Sequence, residues 1–209
     1  MPPDRRILFF GDSFVAGAGD PTGLGWVGRV VAAAHDAGRP ITAYNLGVRG
    51  DSSDDVTARF EAELAARTGN ATASYGVVLS FGANDMLVVD NRLRVPPGRS
   101  VGNLNRLIDL AQAAGHGVLV VGPPPVGEPE EDERIRELSS QFAHAVTHRN
   151  LRYAESVRVL SAHGVWRSEA GANDGSHPAA GGYAALAEIV RAAGWTDWID
   201  GLGDPGAVA

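Results

Sequence analysis

The chain has 209 residues, 44% of them hydrophobic and 21% charged, with a formal net charge of -7. This suits one globular domain with a full core and gives no global field for nucleic acid or an anionic membrane. All 18 basic residues are arginines and cysteine is absent, which excludes lysine nucleophiles, Walker-type phosphate lysines, disulfides, thiolate nucleophiles and zinc–thiolate sites. No stretch approaches the ~20 apolar residues of a membrane span. The apolar run near the N-terminus is too short for a signal peptide, so the expectation is a soluble, cytoplasmic protein.

In chain order, RILFF (6–10), ITAYNL (41–46), YGVVLSF (75–81), GVLVV (117–121) and LRYAE (151–155) read as strands. Most lack polar alternation, as strands covered on both faces do. Helical patterns lie between and after them, at 24–37, 53–67, 99–114, 130–149 and 179–193. Leu138, Phe142 and Val146 fall on one face of the fourth, at the i, i+4, i+8 spacing of a buried stripe. Gly38, Gly69 and Gly115 follow helical patterns, where C-terminal caps belong. Alternating βα units predict a doubly wound parallel sheet with helices on both faces. No composition shift marks a second domain, so residues 1–209 are expected to form one, with 195–209 as a partly loose tail that Trp195 and Trp198 could dock. The acidic run EPEEDERIRE (128–137) reads as a solvated helix start, its acids near the positive end of the helix dipole.

A parallel sheet binds ligands beyond the carboxyl ends of its strands, and the polar residues cluster there. Gly11-Asp12-Ser13 follows the first strand, NLGVRGDSS closes the second, and GAND (82–85) follows the third. NDGSHP, carrying Asp174 and His177, comes after the last. Serine, histidine and aspartate are the parts of a base-activated nucleophile. A serine hydroxyl is weakly nucleophilic until a base accepts its proton, and His177 is the base candidate because imidazole titrates near neutrality. Pro178 favours extended backbone at 177 and can enter the first turn of the last helix. The dipole of that helix would disfavour the imidazolium, and Asp174 would offset it and orient the ring. Acyl transfer also needs donors for the developing oxyanion. The Ser13 N–H, the Gly47 N–H and the Asn84 carboxamide are the candidates. Asp12, Asp85 and Asn45 read as residues that hold loop backbone. The remaining histidines show no metal-ligand spacing.

These blocks resemble the GDSL, or SGNH, hydrolase family, from FFGDSF through NLGVRGDSS and SFGAND to DGSHPAAGGYAALA. The family's nucleophile matches at Ser13, its oxyanion glycine at Gly47, its oxyanion asparagine at Asn84, and its Asp-x-x-His block at Asp174 and His177. The resemblance implies a flavodoxin-like α/β/α sandwich with a central five-stranded parallel sheet. It also implies hydrolysis of a small-molecule ester or thioester through an acyl-serine, without cofactor or metal. Phe14 stands where the name-giving pattern has leucine, and a large apolar residue there should still pack. Acyl transfer to a sugar or alcohol would use the same residues, and a non-catalytic ligand-binding or flavin-carrying protein on the same sandwich is the reading from another class.

GLGWVG (23–28) fits G-x-G-x-x-G, but it does not directly follow a strand as a dinucleotide turn must. Gly11-Asp12-Ser13 lacks the second glycine of the α/β-hydrolase elbow. The apolar run Met86 to Val89 is either an acyl pocket or the buried start of a loop. The rim loops are too short for a large lid, which points to short or medium acyl chains. The sequence is silent on oligomeric state.

Overall fold

The computed structural model describes residues 3–202. Five parallel strands form the central sheet: β1 (Arg5–Gly11), β2 (Thr42–Gly47), β3 (Ser74–Ser80), β6 (Gly117–Val121) and β7 (Arg152–Ala154). Their order is β2-β1-β3-β6-β7, and every pairing is parallel. A two-strand hairpin, β4 (Val88–Val89) with β5 (Arg92–Leu93), stands apart from the sheet. The helices are α1 (Ser13–Ala16), α2 (Gly25–Asp36), α3 (Ser53–Ala65), α4 (Pro97–Ala113) and α5 (Pro129–Thr147), then α6 (Val157–Ala162), α7 (Gly164–Ala172), α8 (Ala180–Ala192) and α9 (Trp195–Gly201).

Consecutive residues of β1 show how the layers arise. Phe9 packs on one face of the sheet against Trp26 of α2 and Trp195 of α9, at ring centroid distances of 5.7 and 5.9 Å. Phe10 packs against Phe60 of α3 at 4.6 Å. Side chains alternate across a strand, so the two rings serve opposite helical layers. On the first side α8 packs against α2, α7 and α9; on the second α4 packs against α3 and α5. Phe9, Phe10, Trp26 and Phe60 are fully buried, each contributing on the order of 2–3 kcal/mol of apolar burial. The result is the expected α/β/α sandwich.

Asp20 fixes the entry to α2. Its buried carboxylate accepts the amides of Thr22 and Gly25 at 2.9 Å and pairs with Arg29. Trp195 and Trp198 are buried, so the first part of the expected tail is a docked helix; residues 203–209, where looseness was expected, lie outside the described residues. Among the described residues no helix is long and apolar enough to cross a membrane.

Candidate active site

The strand order reverses between β1 and β3, and an open α/β sheet forms a crevice at such a point. Ser13 follows β1 and Asn84 follows β3, so both stand at the crevice. Gly11 ends β1 in close contact with its neighbour: a Cβ there would lie 1.9 Å from the Ser80 carbonyl oxygen. Asp12 caps α1 by accepting the Phe14 amide at 2.9 Å. Ser13 is therefore the first residue of a four-residue helix whose start is held by its own neighbour.

The hydroxyl of Ser13 lies 2.7 Å from His177 Nε2, and His177 Nδ1 lies 2.7 Å from Asp174 Oδ2. An ionised carboxylate can only accept, so Nδ1 carries the proton and Nε2 is left to accept from the serine. The other Asp174 oxygen accepts the amides of His177 at 2.8 Å and Ser176 at 3.1 Å. Burial raises the pKa of Asp174, but the hydrogen bonds from the His177 amide, the His177 ring and the Ser176 amide outweigh it and bring the carboxyl down to about 2. Asp174 is thus an anion throughout the neutral range. Asn173 Nδ2 donates to the His177 carbonyl at 3.1 Å, and the Phe14 ring lies 4.8 Å from the imidazole, backed by Trp166. Phenylalanine in the leucine position is a packing surface for the histidine.

Two expectations are corrected here. The Asp174–His177 loop does not leave the last strand directly; α6 and α7 intervene, and the loop joins α7 to α8. The start of α8 is not left to act on the imidazole either. Glu169 of α7 accepts its free amides at Gly181 and Gly182, so a carboxylate already answers the helix dipole.

Gly47 does not present a free amide. Its N–H donates to Asn45 Oδ1 at 3.0 Å, while Asn45 Nδ2 donates to the Val15 carbonyl at 2.8 Å. A Cβ on Gly47 would lie 2.2 Å from the Ala16 nitrogen, so this glycine lets β2 approach α1. Asn-Leu-Gly, with the side chain binding the amide two residues on, is an Asx turn, and that signal was available in the sequence. Gly50 in the same segment is exposed, with φ at +81°, and its N–H has no acceptor among the described residues. Asn84 Nδ2 donates to the next carbonyl, that of Asp51, at 2.9 Å, which leaves its second N–H available.

The cleft beside these groups has a volume of about 220 Å³, and its lining includes Ser13, Asn84, His177, Leu87, Glu128 and Glu131. The apolar run divides: Met86 is buried, Leu87 lines the cleft, and Val88 and Val89 are exposed on the hairpin. Asp12 and Asp85 hold backbone, Asp85 accepting the Ser53 amide at 2.7 Å. Burial pushes Asp12 up to about 7 and also raises Asp85. Among the described residues no group of acids and histidines could hold a metal ion.

The model of the GDSL-like lipase/acylhydrolase family matches residues 9–185. The chain belongs to that family. This GDSL-like chain is an esterase-type serine hydrolase. No curated protein matches the sequence. Solved structures share the fold. The lipase/acylhydrolase from Enterococcus faecalis is 24% identical over 89% of this chain and 93% of its own, with a TM-score of 0.73. The psychrotrophic esterase EstA from Pseudoalteromonas sp. is 22% identical over 94% and 100%, with a TM-score of 0.71. The acetylxylan esterase Axe2 from Geobacillus stearothermophilus is 20% identical over 94% and 97%, with a TM-score of 0.75.

Proposed function

We propose that this GDSL-like hydrolase cleaves carboxylic esters or thioesters of short to medium acyl chains through an acyl-Ser13 intermediate. The observation that carries the reading is the 2.7 Å approach of the Ser13 hydroxyl to His177 Nε2. Ser13 Oγ attacks the acyl carbon as its proton passes to Nε2. The carbonyl oxygen becomes an anion, for which the Ser13 N–H, the Asn84 carboxamide and the Gly50 N–H, in place of that of Gly47, are the proposed donors. The intermediate collapses, the carbon–oxygen or carbon–sulfur bond breaks, and the leaving alcohol or thiol takes the proton from Nε2. Water then attacks the acyl-serine, giving a proton to Nε2, and the second collapse releases the acid and returns that proton to Ser13. Asp174 holds the tautomer throughout.

The acyl preference is supported by the small cleft, about 220 Å³, below the usual range for drug-sized ligands. An organophosphonate bearing a leaving group should add once, at Ser13, with mass spectrometry locating the adduct; modification elsewhere, or none, refutes the nucleophile. In a series of p-nitrophenyl esters, kcat/KM should fall as the acyl chain lengthens, and a preference for long chains overturns that part. Transfer to an alcohol uses the same groups, and product analysis with a competing alcohol separates it from hydrolysis.

A further inference from the structure

The acids at the start of α5 have different surroundings. Asp132 turns back to accept the amides of Val126 at 2.7 Å and Gly127 at 3.3 Å, which shapes the loop before the helix. Glu130 is exposed. Glu131 and Glu128, the latter itself exposed, line the cleft with Ser13 and His177. Among the described residues neither carboxylate makes a hydrogen bond or ion pair. Glu131 is half-buried, and burial raises its pKa despite the charge of Arg134. That arginine donates through Nε to the Met86 carbonyl at 3.1 Å. A helix dipole accounts for acids in this turn, but not for two of them lining the cleft that holds Ser13. A partly desolvated carboxylate without a partner is costly unless a donor arrives.

The side of the cleft is also defined. A Cβ on Gly127 would lie 2.8 Å from the Gly175 carbonyl oxygen, so the loop leading to Glu128 runs against the Asp174–His177 loop. The two acids therefore flank the imidazole side of Ser13, where the alcohol departs with its proton. The aromatic ring on this wall, Phe14, is covered by His177 and Trp166 and leaves no open face to receive a quaternary ammonium.

We propose that Glu131, assisted by Glu128, sets specificity for the alcohol half of the ester. The two carboxylates accept hydrogen bonds from the hydroxyls of an uncharged polyhydroxylated alcohol and repel an alcohol that carries a carboxylate. The inference rests on the ester-hydrolysis reading above. Its test compares kcat/KM for glycerol monoacetate, ethyl acetate, acetoxyacetate and acetylcholine in the wild type, Glu131→Gln and Glu131→Leu. The wild type should favour glycerol monoacetate over ethyl acetate by about tenfold, the scale of one charge-assisted hydrogen bond. Glu131→Leu should bring that ratio near one, chiefly through KM. Glu131→Gln should raise acetoxyacetate relative to ethyl acetate by about as much. Melting curves check that both variants fold. An active wild type whose ratios do not move in either variant overturns the proposal, as does acetylcholine being the best of the four. A wild type inert on all four esters removes the short-acyl ester reading of the proposed function, and this inference with it.

Discussion

At the amino edge of the sheet, where β3, β6 and β7 begin, a cavity of about 790 Å³ is lined by Tyr75, His116, Trp198 and Leu202 among others. At the carboxyl edge the cleft beside Ser13 measures about 220 Å³. The larger space holds a histidine whose ring lies 5.3 Å from Tyr75 and whose pKa is lowered by burial, but among the described residues no serine is hydrogen-bonded to it, although Ser74 shares the lining. The smaller one holds a hydroxyl, an imidazole and a carboxylate joined by two bonds of 2.7 Å. A parallel sheet explains the difference. All its strands end on the same side, so the loops that leave them converge and their polar residues share one crevice. Convergent polar chemistry, more than volume, makes the carboxyl edge the candidate site.

The strongest way to break this contrast is Ser13→Ala, which should lower kcat for p-nitrophenyl acetate by on the order of 10⁴-fold or more. Undiminished turnover would place the chemistry elsewhere. Adding His177→Ala to it should cost little further, because the pair acts as one unit. Next comes Asn84→Ala, expected to reduce kcat by roughly 10²–10³-fold with a smaller change in KM; a change in KM alone would make Asn84 a ground-state binder.

A fourth variant sharpens the contrast within the carboxyl edge, where two carboxylates shift in opposite directions. Asp174 lies near 2 and Asp12 near 7. Between the ordinary carboxylate value of about 4 and the folded value near 7, the unfolded chain ionises at Asp12 while the folded one retains its proton. Asp12 therefore costs stability as pH rises through that window, and the full cost is present above it. Asp12→Asn keeps an acceptor for the Phe14 amide and should raise Tm at pH 8 by roughly 5 °C, with the gain disappearing at pH 4. A gain of equal size at both pH values would remove the titration argument. The smallest effect belongs to the amino edge: His116→Ala should leave turnover per folded molecule close to wild type. A loss beyond about tenfold would erase the functional distinction between the two ends.

The five sheet strands and the five long helices were legible because apolar runs and helical periodicity mark them within a residue or two. The shorter elements were not. Helix α1 has four residues, too few to show a period, and α6 and α7 form one stretch interrupted at His163. The β4–β5 hairpin turns through Asp90 and Asn91, both at positive φ, without the glycine that usually betrays such a turn. At the site, residue type exposed Ser13, Asn84, Asp174 and His177 as candidates, since few side chains can do what each would do. The proposal of Gly50 in place of Gly47 rests on the Gly47 amide being already taken, a question of hydrogen bonding that composition does not answer. Glu131 was hidden for a similar reason: on a helix start an acid has an ordinary explanation until the cleft it lines is seen.

The hydroxyl and the imidazole stand 164 positions apart, and the imidazole depends on the α7–α8 junction, with α8 resting on α2. Loosening of that outer pair would strand the serine on an intact β1 with nothing to take its proton. Hydrolysis should therefore fade on warming before the far-ultraviolet dichroism does, making the enzyme a reporter of whether its α7–α8 junction stays docked.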